Sequence, residues 1–201
     1  MRIAGLDIPL RRLPRTDAVY LTFDDGPDPH FTPQIIEILR RAGCRASFFC
    51  LSSQLKRHPD LCRAIHCEEH SLGLHGESHR PLLFRSRDSI ERELLSALSD
   101  FRRLLPEASI RYLRPPFGLF GPALLRAAHA LELRTVLWSV NSGDYRCQRP
   151  REIVERVCRK VRPGSIVLLH DGGAGGQFAA AALPQIIECI RAKGLRPLPL
   201  P

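Results

Sequence analysis

No stretch of this 201-residue chain is long and apolar enough to cross a bilayer, and its first residues mix Arg11, Arg12, Pro14 and Arg15 with short apolar pieces only. A spanning helix needs about 20 consecutive apolar residues, and a secretory leader needs an unbroken apolar core. The expectation is therefore a soluble, cytoplasmic protein. Lysine is scarce, standing only at 56, 160 and 193, so the net charge of +9 is carried almost wholly by arginine. Arginine's planar fork suits anionic partners, which brings nucleic acid and acidic membrane surfaces into view. The arginines are scattered, however, without interleaved aromatics and without a nucleic-acid motif, which argues against a nucleic-acid partner. A basic solvated surface remains, compatible with peripheral membrane contact or an anionic substrate. No Cys-x-x-Cys pair occurs among the seven cysteines (44, 50, 62, 67, 147, 158 and 189), and several fall at apolar positions of periodic segments, as Cys50 does beside Phe48 and Phe49. That pattern predicts free, buried thiols in a reducing compartment. Internal repeats, low-complexity segments and linkers are absent too. With 44% hydrophobic residues, 201 residues suffice for one well-cored domain and are too few for two. Residues 1–201 are read as one domain with its core over about 17–200.

What the chain does have is a near-regular alternation of short apolar runs and amphipathic stretches. Strands are predicted over 19–23, 46–51, 71–74, 110–113, 135–140, 165–169 and 195–200. Helices are predicted over 33–42, 59–68, 87–105, 122–131, 151–160 and 179–192, the third capped by Ser86 or Asp88 and ended by Pro106, the last closed by Gly194. Such β-α units imply an α/β protein with parallel strands and crossover helices. Both an open doubly wound sheet and a small (β/α) barrel fit.

If the strands are parallel, the residues just past their C-terminal ends share one face, where α/β enzymes build active sites. Those residues are Asp24 and Asp25, His75 and His79, Arg114, Asp144, and His170 with Asp171. Asp24 and Asp25 follow an apolar strand and precede a stiff Gly26-Pro27 turn, which suggests one acid for a metal and one for a proton. His75 and His79 stand four apart and, with a carboxylate from another strand, form a two-His, one-carboxylate set with open positions, suited to Zn²⁺ or a similar ion. His66, Glu69 and His70 match the H-x-x-E-H zinc-protease pattern, but at a helix end before a strand they read as solvated residues. The Gly172–Gly176 run lacks the order of a phosphate cradle and reads as a flexible, substrate-facing loop.

Taken together, these strings resemble the polysaccharide deacetylase family with the NodB homology domain, also called carbohydrate esterase family 4. Thr22-Phe23-Asp24-Asp25-Gly26-Pro27, His75 with His79, Arg114-Pro115-Pro116-Phe117-Gly118, Asp144-Tyr145 and Leu168-Leu169-His170 are similar to its five motifs in order, and Leu183-Pro184-Gln185-Ile186-Ile187 to its last helix. The resemblance implies a distorted (β/α)7-8 barrel with parallel strands and outer helices. It implies Asp24 as general base paired with Arg114, and Asp25, His75 and His79 as ligands of a divalent metal ion, Zn²⁺ first, with Co²⁺, Mn²⁺ or Ni²⁺ as alternatives. It further implies His170 as general acid oriented by Asp144, a backbone N–H at Phe117 for the oxyanion, and Tyr145 and Leu168 against the substrate. The expected activity is hydrolysis of N-acetyl groups on N-acetylglucosamine-containing glycans, such as chitooligosaccharide or peptidoglycan, with release of acetate. Alternatives are an O-acetyl esterase of xylan type, a deformylase or deacetylase of a lipid-linked amino sugar, and a carbohydrate-binding relative without catalysis. The chain departs from the family pattern at Gly76, where Ser or Thr is usual and where glycine predicts a looser loop, and at Asn141, Gly143 and Tyr145. These departures bear on substrate choice.

Overall fold

The computed structural model describes residues 2–3, 6–14, 17–147 and 149–201, so Arg15 lies outside it. Arg2–Ile3 (β1) and Leu6–Asp7 (β2) form a small antiparallel pair. There follow β3 (Ala18–Asp24), α1 (Thr32–Arg41), β4 (Ser47–Cys50), α2 (Ser52–Arg57), α3 (Pro59–Cys67), β5 (Ser71–Leu74), α4 (Arg87–Leu104) and β6 (Tyr112–Leu113). The chain continues through α5 (Pro122–Ala130), β7 (Arg134–Thr135), β8 (Val140–Asn141), α6 (Pro150–Lys160), β9 (Ile166–His170), α7 (Gly176–Ala192) and β10 (Arg196–Leu198).

The main sheet is parallel throughout, in the order β7-β6-β5-β4-β3-β9-β8, with β10 beside the first half of β3. Its two end strands, β7 and β8, are separated in sequence only by residues 136–139. The sheet therefore curls until one extended segment joins both of its edges, which is the distorted barrel. The single strand expected over 135–140 is in fact two. Its first half pairs with β6 and its second with β9, while Val136 and Leu137 in between take Leu10 as partner. Alternation of apolar residues cannot reveal such a change of neighbour, because both halves stay extended.

All seven residues of β3 are buried, as a central strand requires. Period-2 geometry divides them. Val19, Leu21 and Phe23 join the large core between sheet and helices, whereas Ala18 and Tyr20 join Phe49, Val136, Ile166 and Leu200 inside the barrel. By the same alternation Thr22 and Asp24 face inward above that apolar floor. Helix boundaries fall within a few residues of expectation. Ser86 is the cap of α4, its hydroxyl accepting the Ser89 N–H, and Gly194 follows α7 at φ +71°. Helix α2 was not anticipated, since six residues directly after a strand are too few to display a helical period.

One expectation on the cysteines is overturned. Helices α6 and α7 pack side by side, which sets Cys158 and Cys189 6.1 Å apart at Cα, joined as a disulfide. Of the rest, Cys44, Cys50, Cys62 and Cys147 are buried and Cys67 is exposed. Periodicity places a cysteine on a helix face but does not say which neighbouring helix that face meets.

Candidate active site

The candidate residues gather at the C-terminal ends of the strands. Asp24 ends β3, 2% exposed, and the chain leaves the strand through Asp25 at φ +79°. Asp171 stabilises this exit: its carboxylate accepts the Gly26 N–H at 3.1 Å and the Thr32 hydroxyl at 2.6 Å. A Cβ on Gly26 would stand 2.0 Å from Asp171 Oδ2, so only glycine permits the approach. Burial pushes the Asp171 carboxyl up to about 7, against the two donors.

His75 follows β5, and its Nδ1–H donates to the Arg114 carbonyl at 2.8 Å. That contact turns Nε2 toward Asp25, as an outer-shell acceptor does for a metal-binding imidazole. His75 Nε2 and His79 Nε2 each lie 3.3 Å from Asp25 Oδ1. This oxygen is buried without a partner of hydrogen-bonding geometry. Burial raises the Asp25 carboxyl, but the close His75 and the charges of His75, His170 and His79 outweigh it and hold it below the ordinary value. Burial keeps His79 below its ordinary value as well, with Asp25 opposing. The three ligand atoms lie within 4.8 Å of one another, and among the described residues no other group of three His, Cys, Asp or Glu side chains does so. An orphaned carboxylate oxygen facing two imidazole nitrogens fits a divalent cation.

The loop carrying these histidines has supports from outside, beside the position of Gly76. Gly76 adopts φ +85°, which glycine takes without strain. The Ser52 and Ser53 N–H groups of α2 donate to the Gly76 and Glu77 carbonyls. Glu93 of α4 accepts the Glu77 N–H at 3.1 Å and pairs with Arg85. The unanticipated helix α2 is thus one of the supports.

Arg114 extends from the end of β6 into the barrel and is fully buried. Its Nη1 lies 2.6 Å from Asp24 Oδ1 and 2.7 Å from Thr22 Oγ1, and its Nη2 donates to the Leu137 carbonyl at 3.2 Å. The guanidinium stands over the Phe49 ring at 4.1 Å. Asp24 Oδ2 lies 3.8 Å from His75 Nε2, on the metal-site side of the carboxylate.

His170 ends β9. Asp144, itself fully buried, meets it twice, Oδ1 at 2.8 Å from Nδ1 and Oδ2 accepting the His170 N–H at 2.8 Å. Burial opposes the charged imidazole, but Asp144, with Asp24 and Asp25 behind it, raises His170 to about 9. The Tyr145 ring meets His170 edge-on at 5.3 Å. Phe117, in a tight turn at φ +60°, packs on His79 with ring centres 4.4 Å apart and is otherwise exposed.

These groups line one open cleft of about 290 Å³, with Leu168 in its wall. Every expected site residue is brought together there, Asp144 and Arg114 just beneath its surface. Sequence reasoning missed Trp138 and Arg146 in the lining, as well as the bracing role of Asp171. Asp171 did stand at a strand end beside His170, and that position was the one available signal. The H-x-x-E-H residues are not brought into a site: His70 is buried, its Nδ1 accepting the Ala46 N–H at 3.3 Å. The glycine run is only partly the flexible loop expected. Gly173 and Ala174 are exposed, whereas Gly172, Gly175 and Gly176 are buried at close approaches to Asp25, His170 and Phe31.

The family described as polysaccharide deacetylase matches residues 12–136 of the chain. A chitooligosaccharide deacetylase of Sinorhizobium fredii is 35% identical over 206 residues, covering 94% of this chain and 96% of that protein. A peptidoglycan-N-acetylglucosamine deacetylase of Bacillus cereus is 33% identical over 180 residues, covering 89% and 84%. Among solved structures, a peptidoglycan N-acetylglucosamine deacetylase in complex with 4-naphthalen-1-yl-N-oxidanyl-benzamide superimposes with a TM-score of 0.91 at 30% identity, covering 96% of this chain and 90% of that one. A family 4 pseudoenzyme from Bacillus anthracis superimposes with a TM-score of 0.90 at 25% identity, covering 98% and 69%.

Proposed function

The chain belongs to the polysaccharide deacetylase family, and on that footing we propose that it is a metal-dependent hydrolase removing N-acetyl groups from N-acetylglucosamine-containing glycans or oligosaccharides. The observation that carries this reading is the convergence of Asp24, Asp25, His75, His79 and His170 on one cleft. A pseudoenzyme shares the fold, so fold alone does not decide for catalysis; the complete donor and acid-base set is what supports it.

Asp25, His75 and His79 would hold the ion, and a set of two nitrogens and one oxygen suits Zn²⁺. When bound, it supplies Lewis-acid charge and lowers the pKa of water. Asp24 accepts the proton of the attacking water, while Arg114 holds the carboxylate in place through its other oxygen. His170 delivers a proton to the departing amine. Its pairing with Asp144 keeps the acid form available at neutral pH. The Phe117 N–H is assigned to the developing oxyanion, a kind of donor whose loss lowers rates by about 10²–10³-fold. Leu168 closes the acyl end of the cleft, and Tyr145 meets the sugar. Acetate and a free amino sugar leave.

The reading is tested by measuring acyl release from N-acetyl, O-acetyl and N-formyl sugars with defined divalent metals and after chelation. Acetate release from chitooligosaccharide or peptidoglycan fragments, abolished by chelation and restored by Zn²⁺, is the expected result. Undiminished release without metal would overturn the mechanism. Release from acetylated xylan or from a formylated lipid-linked sugar alone would redirect the substrate.

A further inference from the structure

Of the side chains lining the cleft, Arg146 is the one arginine or lysine. It is exposed, and no carboxylate among the described residues forms an ion pair with it. An unpaired surface arginine is ordinarily a loose, solvated chain, but this one is steered. Its guanidinium stands over the Tyr145 ring at 5.1 Å, a cation–π contact that restrains a long side chain. Tyr145 is itself placed by Asn141, whose Nδ2 donates to the phenol oxygen at 3.3 Å, and by its edge contact with His170. The backbone beneath is a tight turn, with the Arg146 and Cys147 N–H groups donating to the Gly143 carbonyl. Asn141 Oδ1 accepts the Gly143 N–H at 2.8 Å, and Arg156 braces the Ser142 carbonyl at 2.5 Å. Three positions where the chain departs from the family pattern, Asn141, Gly143 and Tyr145, thus form one unit that presents Arg146 to the cleft.

The other charges of the cleft are accounted for within it. Asp24 faces Arg114, Asp25 faces the two imidazoles, and His170 is paired with Asp144. Arg146 is left to meet the ligand. Tyr145, which carries it, packs on His170, so Arg146 borders the part of the cleft that the deacetylase reading gives to the departing amino sugar. A planar guanidinium fork is matched by a carboxylate or phosphate, which it binds through two parallel hydrogen bonds.

We propose that Arg146 is a specificity residue that selects substrates bearing an anionic group, a carboxylate or a phosphate, on or next to the amino sugar being deacetylated. This inference rests on the deacetylase reading above.

The test compares kcat/KM of the Zn²⁺-loaded protein on three matched oligosaccharides: a neutral chitooligosaccharide, one with a carboxylate on the neighbouring sugar, and one with a phosphate on the N-acetylglucosamine. Wild-type protein should prefer at least one anionic substrate over the neutral one by about fivefold or more, the upper range for a partly exposed charge pair. Arg146→Gln should bring that ratio to about one, Arg146→Lys should retain part of it, and added salt should shrink it through screening. The two anionic arms decide between carboxylate and phosphate. No preference in wild type, or a preference unchanged in Arg146→Gln, overturns the proposal. If none of the three sugars is hydrolysed, the deacetylase reading fails. Calorimetric binding of the same sugars to wild type and Arg146→Gln then decides the anion site by the same ratios.

Discussion

Asp144 holds His170 with both of its oxygens, one on the ring nitrogen Nδ1 and one on the backbone N–H of the same residue, each at 2.8 Å. The first contact sets the charge of the imidazole, and the second sets where the ring stands. A single buried carboxylate thereby determines both the proton affinity and the position of the proposed acid.

Asp144→Asn separates these roles, because an amide oxygen still accepts the backbone N–H but carries no charge. The rate should fall by about 10²-fold, in the range expected for an impaired general acid. The alkaline limb of the pH–rate profile should move from about 9 in wild type toward the ordinary imidazole value. The same pairing acts on stability. His170 is raised in the folded protein above its usual 6.5, so its contribution is complete below that pH and disappears as pH rises through about 9. Urea denaturation at several pH values should show that loss in wild type and not in Asp144→Asn.

Arg114→Lys should damage activity and stability together. The fully buried guanidinium serves Asp24, Thr22 and the Leu137 carbonyl at once, and an ammonium cannot span these partners. Leaving Asp24 poorly paired in the interior is expected to cost about 3–5 kcal/mol. Chemical denaturation beside kcat measures both. Wild-type stability in the variant would contradict the bracing role given to Arg114.

Asp171→Asn tests a buried acid outside the proposed chemistry. Its folded-state value of about 7 lies above the usual 3.8, so the folded protein keeps a proton that the unfolded chain releases. Wild-type stability should therefore decline between about pH 4 and 7 from this group. Asparagine can still accept the Gly26 N–H at Oδ1 and can donate from Nδ2 to the Thr32 hydroxyl oxygen without being charged, so the variant should lose that decline and be the more stable protein at pH 8. Equal slopes in the two proteins would show that Asp171 is not desolvated as described.

Zn²⁺ added to the metal-free protein should raise its melting temperature in a concentration-dependent way, by about 2.7 kcal/mol of stabilisation at a hundredfold excess over Kd. Asp25→Asn with His79→Ala should abolish the shift, since two of the three ligand atoms are gone. A shift that survives the double change would place the ion elsewhere.

Much of the site was legible in the sequence because its residues stand at strand ends, and a parallel sheet delivers strand ends to one rim. Asp24, Asp25, His75, His79, Arg114, Asp144 and His170 follow from that rule. What remained hidden depends on neighbours rather than on period. The division of residues 134–141 between β6 and β9, the pairing of Cys158 with Cys189 and the bracing of Gly26 by Asp171 all join positions remote in sequence. Helix α2 escaped because one and a half turns show no period. The hydrogen bonds that α2 and Glu93 give the Gly76 loop likewise come from elements that its own residues do not announce.

Strand β3 pairs on one side with β4 and on the other with β9, and along its first half with β10. Long-range pairings of this kind form late and slowly. Asp24, Asp25, His75 and His79 come from strands near one another in sequence, whereas His170 and the Asp171 brace of the Asp25 turn both arrive with β9. A chain cut before residue 166 therefore loses the proposed acid and the support of the ligand turn together.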